Sequence, residues 1–286
     1  MKKDTLSQVT EKEKQITLAD GAQVKLIRIT EAVVGRTLTE TIAALQLVLR
    51  DGNLPPELFD YVYRAELGCR GTMAKVNAVI ELYGGEDAAS AVRTATYDMT
   101  QFFTVVCSQM NKALGHKYQG RISFEIDEES EATVSFDARR VSMILYHLIA
   151  NAVQHGRTDN KNVEIRAFVK GNQFEMSVRD RGGGIPETKR KTLFLGFTQA
   201  LDLQSLAMGP FPPMIQGIGL PLCKKLAEDM RGALDVKNYK TGAKFILQIP
   251  QSGQRMREIS VYQPDDTLLK ACMADLLAEL NEKKGE

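Results

Sequence analysis

No tryptophan occurs in the chain, and of its three histidines, His116, His147 and His155, none precedes residue 116. A phosphohistidine anywhere before that point is therefore excluded. Cysteine is scarce too: Cys69, Cys107, Cys223 and Cys272 are scattered, which rules out paired metal-ligand spacing and a disulfide framework and fits a reducing cytoplasm. Neither sign of charge dominates, since 37 Lys and Arg face 36 Asp and Glu for a formal net charge of +1. The longest basic cluster, Lys189-Arg190-Lys191, is too short for a nucleic-acid track, so no nucleic-acid partner is expected. There is no run of eighteen apolar residues, and the start, MKKDTLSQVTEKEKQ, lacks the apolar stretch of a signal peptide. No membrane insertion is expected, and the cytoplasm is the expected location.

What is present suits a folded protein. At 286 residues, with 43% hydrophobic and 26% charged residues, the chain has room for two modest domains. Residues 1–27 read as a polar leader. Leu38, Ile42, Leu45 and Leu49 then recur at helical spacing, Asp51-Gly52-Asn53 has turn chemistry, and Pro55-Pro56 suits the first turn of a second helix. In that helix Leu58, Val62, Ala65, Cys69, Thr72, Val76, Val79 and Tyr83 alternate by threes and fours. Such a hairpin, over 28–85, cannot bury its stripe alone. Pairing with a second copy as a four-helix bundle is the expected solution, with packing on the chain's own C-terminal domain as the alternative. Gly84-Gly85 reads as the end of the helix and the start of a hinge.

Residues 86–250 read as an α+β layer with helices on one face of a mixed sheet. An extended piece near 92–96 precedes Asp98, a cap for a helix through Phe102, Val106 and Met110 to Leu114. Ile122, Phe124 and Ile126, then Val134 and Phe136, alternate as strands do, and Asp137 caps a helix running to about His155. Two more strands flank Lys170-Gly171-Asn172, followed later by a helix over about 220–230 and a strand over 244–249. The last segment, 251–286, carries an amphipathic helix after the Asp265-Asp266 cap, with Leu268, Leu269, Cys272, Met273, Leu276 and Leu280 on one face. It either packs on the domain or docks a partner.

Three segments carry chemistry. His147, Asn151 and His155 stand four residues apart, so an amide and two imidazoles share one helical face, able to hold a metal and a phosphate or to be an ordinary surface. Asp180-Arg181-Gly182-Gly183-Gly184-Ile185-Pro186 follows a strand; its carboxylate can accept from a nucleobase amino group, and its glycines let a ligand approach the backbone. Gly217-Ile218-Gly219-Leu220 opens a helix whose unpaired amides favour phosphate.

In this order and spacing the three segments resemble the nucleotide-binding boxes of the GHKL superfamily, which groups histidine kinases, Hsp90-type chaperones, type II topoisomerases and mismatch-repair ATPases. Leu193-Phe194-Leu195-Gly196-Phe197 resembles the histidine-kinase F box, and Thr241-Gly242-Ala243-Lys244-Phe245 resembles the closing Gly-Thr-x-Phe segment. Asp137-Ala138-Arg139-Arg140 is similar to the lead-in of histidine kinases and points to that branch. The resemblance covers about 92–250 and implies a Bergerat-type α/β sandwich that binds ATP with Mg²⁺. It implies that Asn151 chelates the metal and that Asp180 accepts from the adenine amino group. Gly182, Gly184 and Ile185 would belong to the adenine pocket, and His155, Phe197, Gly217, Gly219 and Leu220 to the wider nucleotide site. Residues 199–216 would form a mobile lid.

Two positions depart from the family. Gln154 stands where histidine kinases place a basic residue toward the phosphates, and His147 stands where many carry asparagine and the ATPase branches a catalytic glutamate. A neutral imidazole at 147 can act as a base or only bind phosphate or water. The hairpin resembles the dimerisation and phosphotransfer segment of a histidine kinase, with the acceptor position near Val33-Val34, where no histidine occurs. The expectation is a homodimeric, histidine-kinase-like ATP-binding signalling protein without conventional autophosphorylation, active as a kinase or slow ATPase if active at all. The alternatives are a non-catalytic ATP sensor that docks a response regulator or other partner, and an anti-sigma-type serine kinase.

Overall fold

The computed structural model describes residues 32–83, 91–115, 120–156, 162–190, 192–195, 217–251 and 258–282, together with Lys25, Ile29 and Tyr118. The expectations for most of the leader, Gly84-Gly85, His116, Gly196-Phe197 and the lid lie outside these residues.

Residues 32–49 are helical (α1), with Val34, Leu38, Ile42, Leu45 and Leu49 half-buried along one stripe and most other side chains exposed. Among the described residues this is the one helix long and apolar enough to cross a membrane by length and composition, with mean hydropathy 1.3. The turn forms as its chemistry dictates: the Asn53 amide donates to Asp51 Oδ1 at 3.0 Å and the Leu54 amide to the Asp51 carbonyl at 3.2 Å. Pro56 then begins α2, Pro56–Tyr83, where a missing amide hydrogen costs nothing.

The face that α2 buries is not the heptad stripe. Leu58, Ala65, Thr72 and Tyr83 are exposed, whereas Glu66, Leu67, Arg70, Gly71, Ala78 and Ile80 are buried. A helix late in the chain covers that face, which heptad arithmetic on α2 cannot foresee. Burying Glu66 and Arg70 is tolerable because they pair at 2.6 Å, with Gln46 of α1 reaching Glu66 at 3.4 Å.

The main sheet has the order β2-β4-β5-β7-β6, from Ile122–Ile126, Val163–Lys170, Gln173–Arg179, Gly242–Pro250 and Ala233–Tyr239. Only β2 and β4 run parallel, so the sheet is mixed. Helices α3 (Met99–Leu114), α4 (Ala138–His155) and α6 (Gly219–Asp229) pack their apolar stripes into one core with it. A short α5, Glu187–Arg190, follows the glycine loop.

A smaller sheet, β3-β1-β8, comes from Thr133–Phe136, Ala95–Asp98 and Ile259–Ser260. The extended piece read near 92–96 settles at 95–98, so Asp98 both ends β1 and caps α3, taking the Gln101 amide at 2.7 Å. Asp137 caps α4 through the Arg140 amide at 3.1 Å and also takes the Arg93 amide at 2.8 Å.

The segment after residue 257 belongs to the same core. Tyr262 packs on Phe102 with ring centroids 4.7 Å apart, and its hydroxyl meets Ser142 Oγ at 2.8 Å. The last helix, α7 (Asp266–Glu282), is capped by Asp265 through the Leu268 amide and lies against both α2 and α4. At Gly71 it approaches α2 closely: a Cβ there would lie 2.8 Å from the Ala274 Cβ. Lys75 and Asp275 pair at 2.9 Å beside that contact. Arg140, buried on α4, reaches Asp229 of α6 at 2.8 Å and Glu81 of α2 at 3.3 Å. The architecture is a helical hairpin followed by an α/β sandwich, with α7 between the two.

Candidate nucleotide site

Each candidate segment sits where its local physics puts it. The loop after β5 begins at buried Asp180, whose backbone continues the β5–β7 pairing by donating to the Ala243 carbonyl at 3.0 Å. Its Oδ1 accepts from the Gly182 amide at 2.8 Å and the Ala243 amide at 3.2 Å. The carboxylate is thus oriented by two backbone donors, and among the described residues its Oδ2 takes no hydrogen bond. Arg181 turns outward onto Glu164, with Nε at 3.1 Å, and this hydrogen bond holds the Glu164 carboxyl below its usual range.

Gly182 and Gly242 are close approaches rather than loose hinges, while Gly183 between Gly182 and Gly184 has open space around it. A Cβ on Gly182 would lie 2.3 Å from the His155 carbonyl oxygen at the end of α4. A Cβ on Gly242, which has φ 110°, would lie 2.1 Å from the Asp180 carbonyl oxygen. Loop, helix end and β6–β7 turn therefore meet around Asp180 with no room for side chains.

On α4 the three residues share a face, as their spacing requires. His147 and Asn151 are half-buried, while Gln154 and His155 are exposed. His147 faces the start of α6: a Cβ on Gly219 would lie 3.2 Å from the His147 Nδ1. Burial pushes the His147 pKa down to about 4, against an opposing pull from the Asp275 carboxylate. The imidazole is neutral near pH 7 and is a weak base. Ile218 starts α6 without a side-chain cap, Gly217 takes φ 91°, and Gly219 and Leu220 are half-buried at the first turn. With Pro221 next, the early amides of α6 are the local positive end, and among the described residues no side chain caps them.

The structure thus brings His147 beside Gly219, and His155 beside Gly182, linking all three segments through α4. Phe197 lies outside the described residues. Among those described, no three His, Cys, Asp or Glu side chains converge to hold a metal. A carboxamide oxygen at Asn151, half-buried on α4, is the kind of hard neutral donor that a magnesium ion accepts beside phosphate and water. Sequence reasoning passed over Asn238, which lies on β6, a strand that was not foreseen; Ala243, its partner on β7, falls within the closing Thr241–Phe245 segment.

Residues 136–253 match the family model described as histidine kinase-, DNA gyrase B-, and HSP90-like ATPase. The chain is 32% identical over 145 residues to the sensor protein BceS of Bacillus subtilis (strain 168), covering 50% of this chain and 40% of that protein. It is 25% identical over 247 residues to the aerobic respiration control sensor protein ArcB of Escherichia coli (strain K12), covering 86% of this chain and 31% of that one. Among solved structures, full-length ShkA in complex with AMPPNP shares the fold at TM-score 0.59 and 21% identity, over 80% of this chain and 47% of that chain. The chain spans less than half the length of these curated relatives.

Proposed function

From the premise that residues 136–253 form a histidine kinase-, DNA gyrase B- and HSP90-like ATPase domain, we propose that the chain is a histidine-kinase-like signalling protein. It binds adenine nucleotides with Mg²⁺ and does not phosphorylate a histidine in its own hairpin. One observation carries this reading: Asp180 is held by two backbone amides at the mouth of a glycine loop that packs on the end of α4, and the uncapped start of α6 lies beside His147 of the same helix. The base would meet Asp180 between Gly182, Gly184 and Ile185, and the phosphates would meet the first amides of α6. Asn151 would take part in holding Mg²⁺, which neutralises phosphate charge. His147, neutral at physiological pH, would accept from water or a phosphate hydroxyl. Gln154 offers no positive charge, which weakens the phosphate end.

Absence of histidine before residue 116 supports a role in which nucleotide state is read out by a partner. A response regulator docking on the hairpin is the partner this reading favours, on the cytoplasmic side where ATP is supplied. The exposed positions of the α2 stripe, Leu58, Ala65, Thr72 and Tyr83, support a homodimer.

Calorimetric titration with ATP, with and without Mg²⁺, tests the reading. Asp180→Asn should weaken binding by about 1 to 3 kcal/mol, the usual loss for a charged hydrogen-bond partner. Unchanged affinity would remove Asp180 from the site. Incubation with labelled ATP should leave residues 1–115 without phosphate. Stable phosphate on a serine or threonine of this chain or a partner would instead favour a serine kinase.

A further inference from the structure

The β6–β7 hairpin touches the glycine loop at two places, and one of them is a side chain. Ile185 donates its amide to Asn238 Oδ1 at 2.8 Å, and Asn238 Nδ2 donates to the Ile185 carbonyl at 2.8 Å. One carboxamide therefore satisfies both backbone groups of Ile185, as a neighbouring strand would. Just before it, Gly184 has φ 74°, and a Cβ there would lie 2.7 Å from Asn238 Oδ1 and 2.8 Å from the Tyr239 carbonyl oxygen. The same hairpin holds Asp180 through the Ala243 amide. The loop is thus pinned at its first residue by backbone and at its fifth and sixth by Asn238.

We propose that Asn238 is a positioning residue for the adenine pocket. Resting on the reading of Asp180 as the adenine acceptor, the proposal gives Asn238 no contact with nucleotide. Three successive glycines, Gly182, Gly183 and Gly184, have high intrinsic backbone freedom, and such a loop left unpinned must be ordered each time a ligand binds. Asn238 supplies that order beforehand, so less of the binding energy is lost to ordering. Both hydrogen bonds lie near the surface, where each contributes modestly.

The test compares ATP, ADP and AMP binding to the full chain by calorimetry. Asn238→Ala should weaken all three by the same factor, about three- to tenfold for two exposed neutral hydrogen bonds. Equality across the three ligands is the readout that a phosphate-end effect would not produce, and an unchanged unfolding midpoint is the one that a general structural role would not. Asn238→Asp keeps an acceptor for the Ile185 amide and loses the donor to its carbonyl, so its affinities should fall between those of wild type and Asn238→Ala. The unfolding midpoint should stay at the wild-type value.

Wild-type-like affinities in Asn238→Ala would overturn the proposal and leave the nucleotide reading intact. So would a loss that grows with the number of phosphates, or a lowered midpoint with unchanged affinity. Failure of the wild-type chain to bind any of the three would instead sink the adenine reading itself.

Discussion

A histidine held neutral by burial makes stability depend on pH in one direction. Above the ordinary pKa near 6.5, His147 is neutral in both folded and unfolded chains and contributes no pH dependence. As pH falls from 6.5 toward its folded value of about 4, the unfolded chain takes up the proton and the folded chain does not. Stability is therefore lost across that window and levels off below it. At 1.36 kcal/mol per unit, with some solvent access to the ring, the loss attributable to His147 is about 1 to 3 kcal/mol by pH 4.5. Urea unfolding at pH 7.5 and 4.5 should show the wild type losing more than His147→Asn by this amount. Equal losses would place the ring in a wetter setting.

Helix α2 offers a pair of glycines with opposite expected outcomes. Gly68 has nothing within 4 Å of an added Cβ, so Gly68→Ala should stabilise by about 0.5 to 1 kcal/mol through helix propensity alone. Gly71, one turn on, meets Ala274 of α7, with 2.8 Å between an added Cβ and the Ala274 Cβ. Gly71→Leu should destabilise by about 1 to 3 kcal/mol, as overpacking of a close contact does. Denaturant midpoints for the two variants check both signs. If Gly71→Leu were neutral, α7 would not be seated on α2. The element that matters here is α7, whose cap and apolar face are plain in the sequence, while its seat on α2 is not.

At the scale of the whole molecule, the hairpin has one face covered by α7 and another left open. Leu47 is 69% exposed and Leu58 50% exposed, more than isolated surface leucines need be on adjoining helices of one hairpin. In the proposed homodimer these positions lie between copies. Sedimentation should show a dimer at micromolar concentration, and Leu47→Glu with Leu58→Glu together should shift it to monomer while leaving the circular dichroism spectrum unchanged. A wild-type monomer at that concentration would refute the dimer. Deleting the hairpin is a poorer test, because it strips α2 from α7 and uncovers Ala274 and its neighbours.

Local chemistry made much of this protein readable before any coordinates. Asp98, Asp137 and Asp265 cap the helices they were expected to cap, because a short acceptor one residue before a helix acts on amides two or three residues away. The glycine boxes stood out by their order and spacing, and the absence of a hairpin histidine is read directly from the sequence. Strand β6 was not, since as an edge strand it buries only Leu234 fully and shows solvent a run of polar residues that mask its alternation. The buried face of α2 was not legible either. It is chosen by α7, through contacts such as Lys75–Asp275 that join residues 200 positions apart. Nor could sequence place Asn238 against Ile185, 53 residues away, or Asp275 near His147. Periodicity and capping are set by neighbours in the chain; which face is covered, and which amide braces the glycine loop, is set by how sheet and helices close on one another.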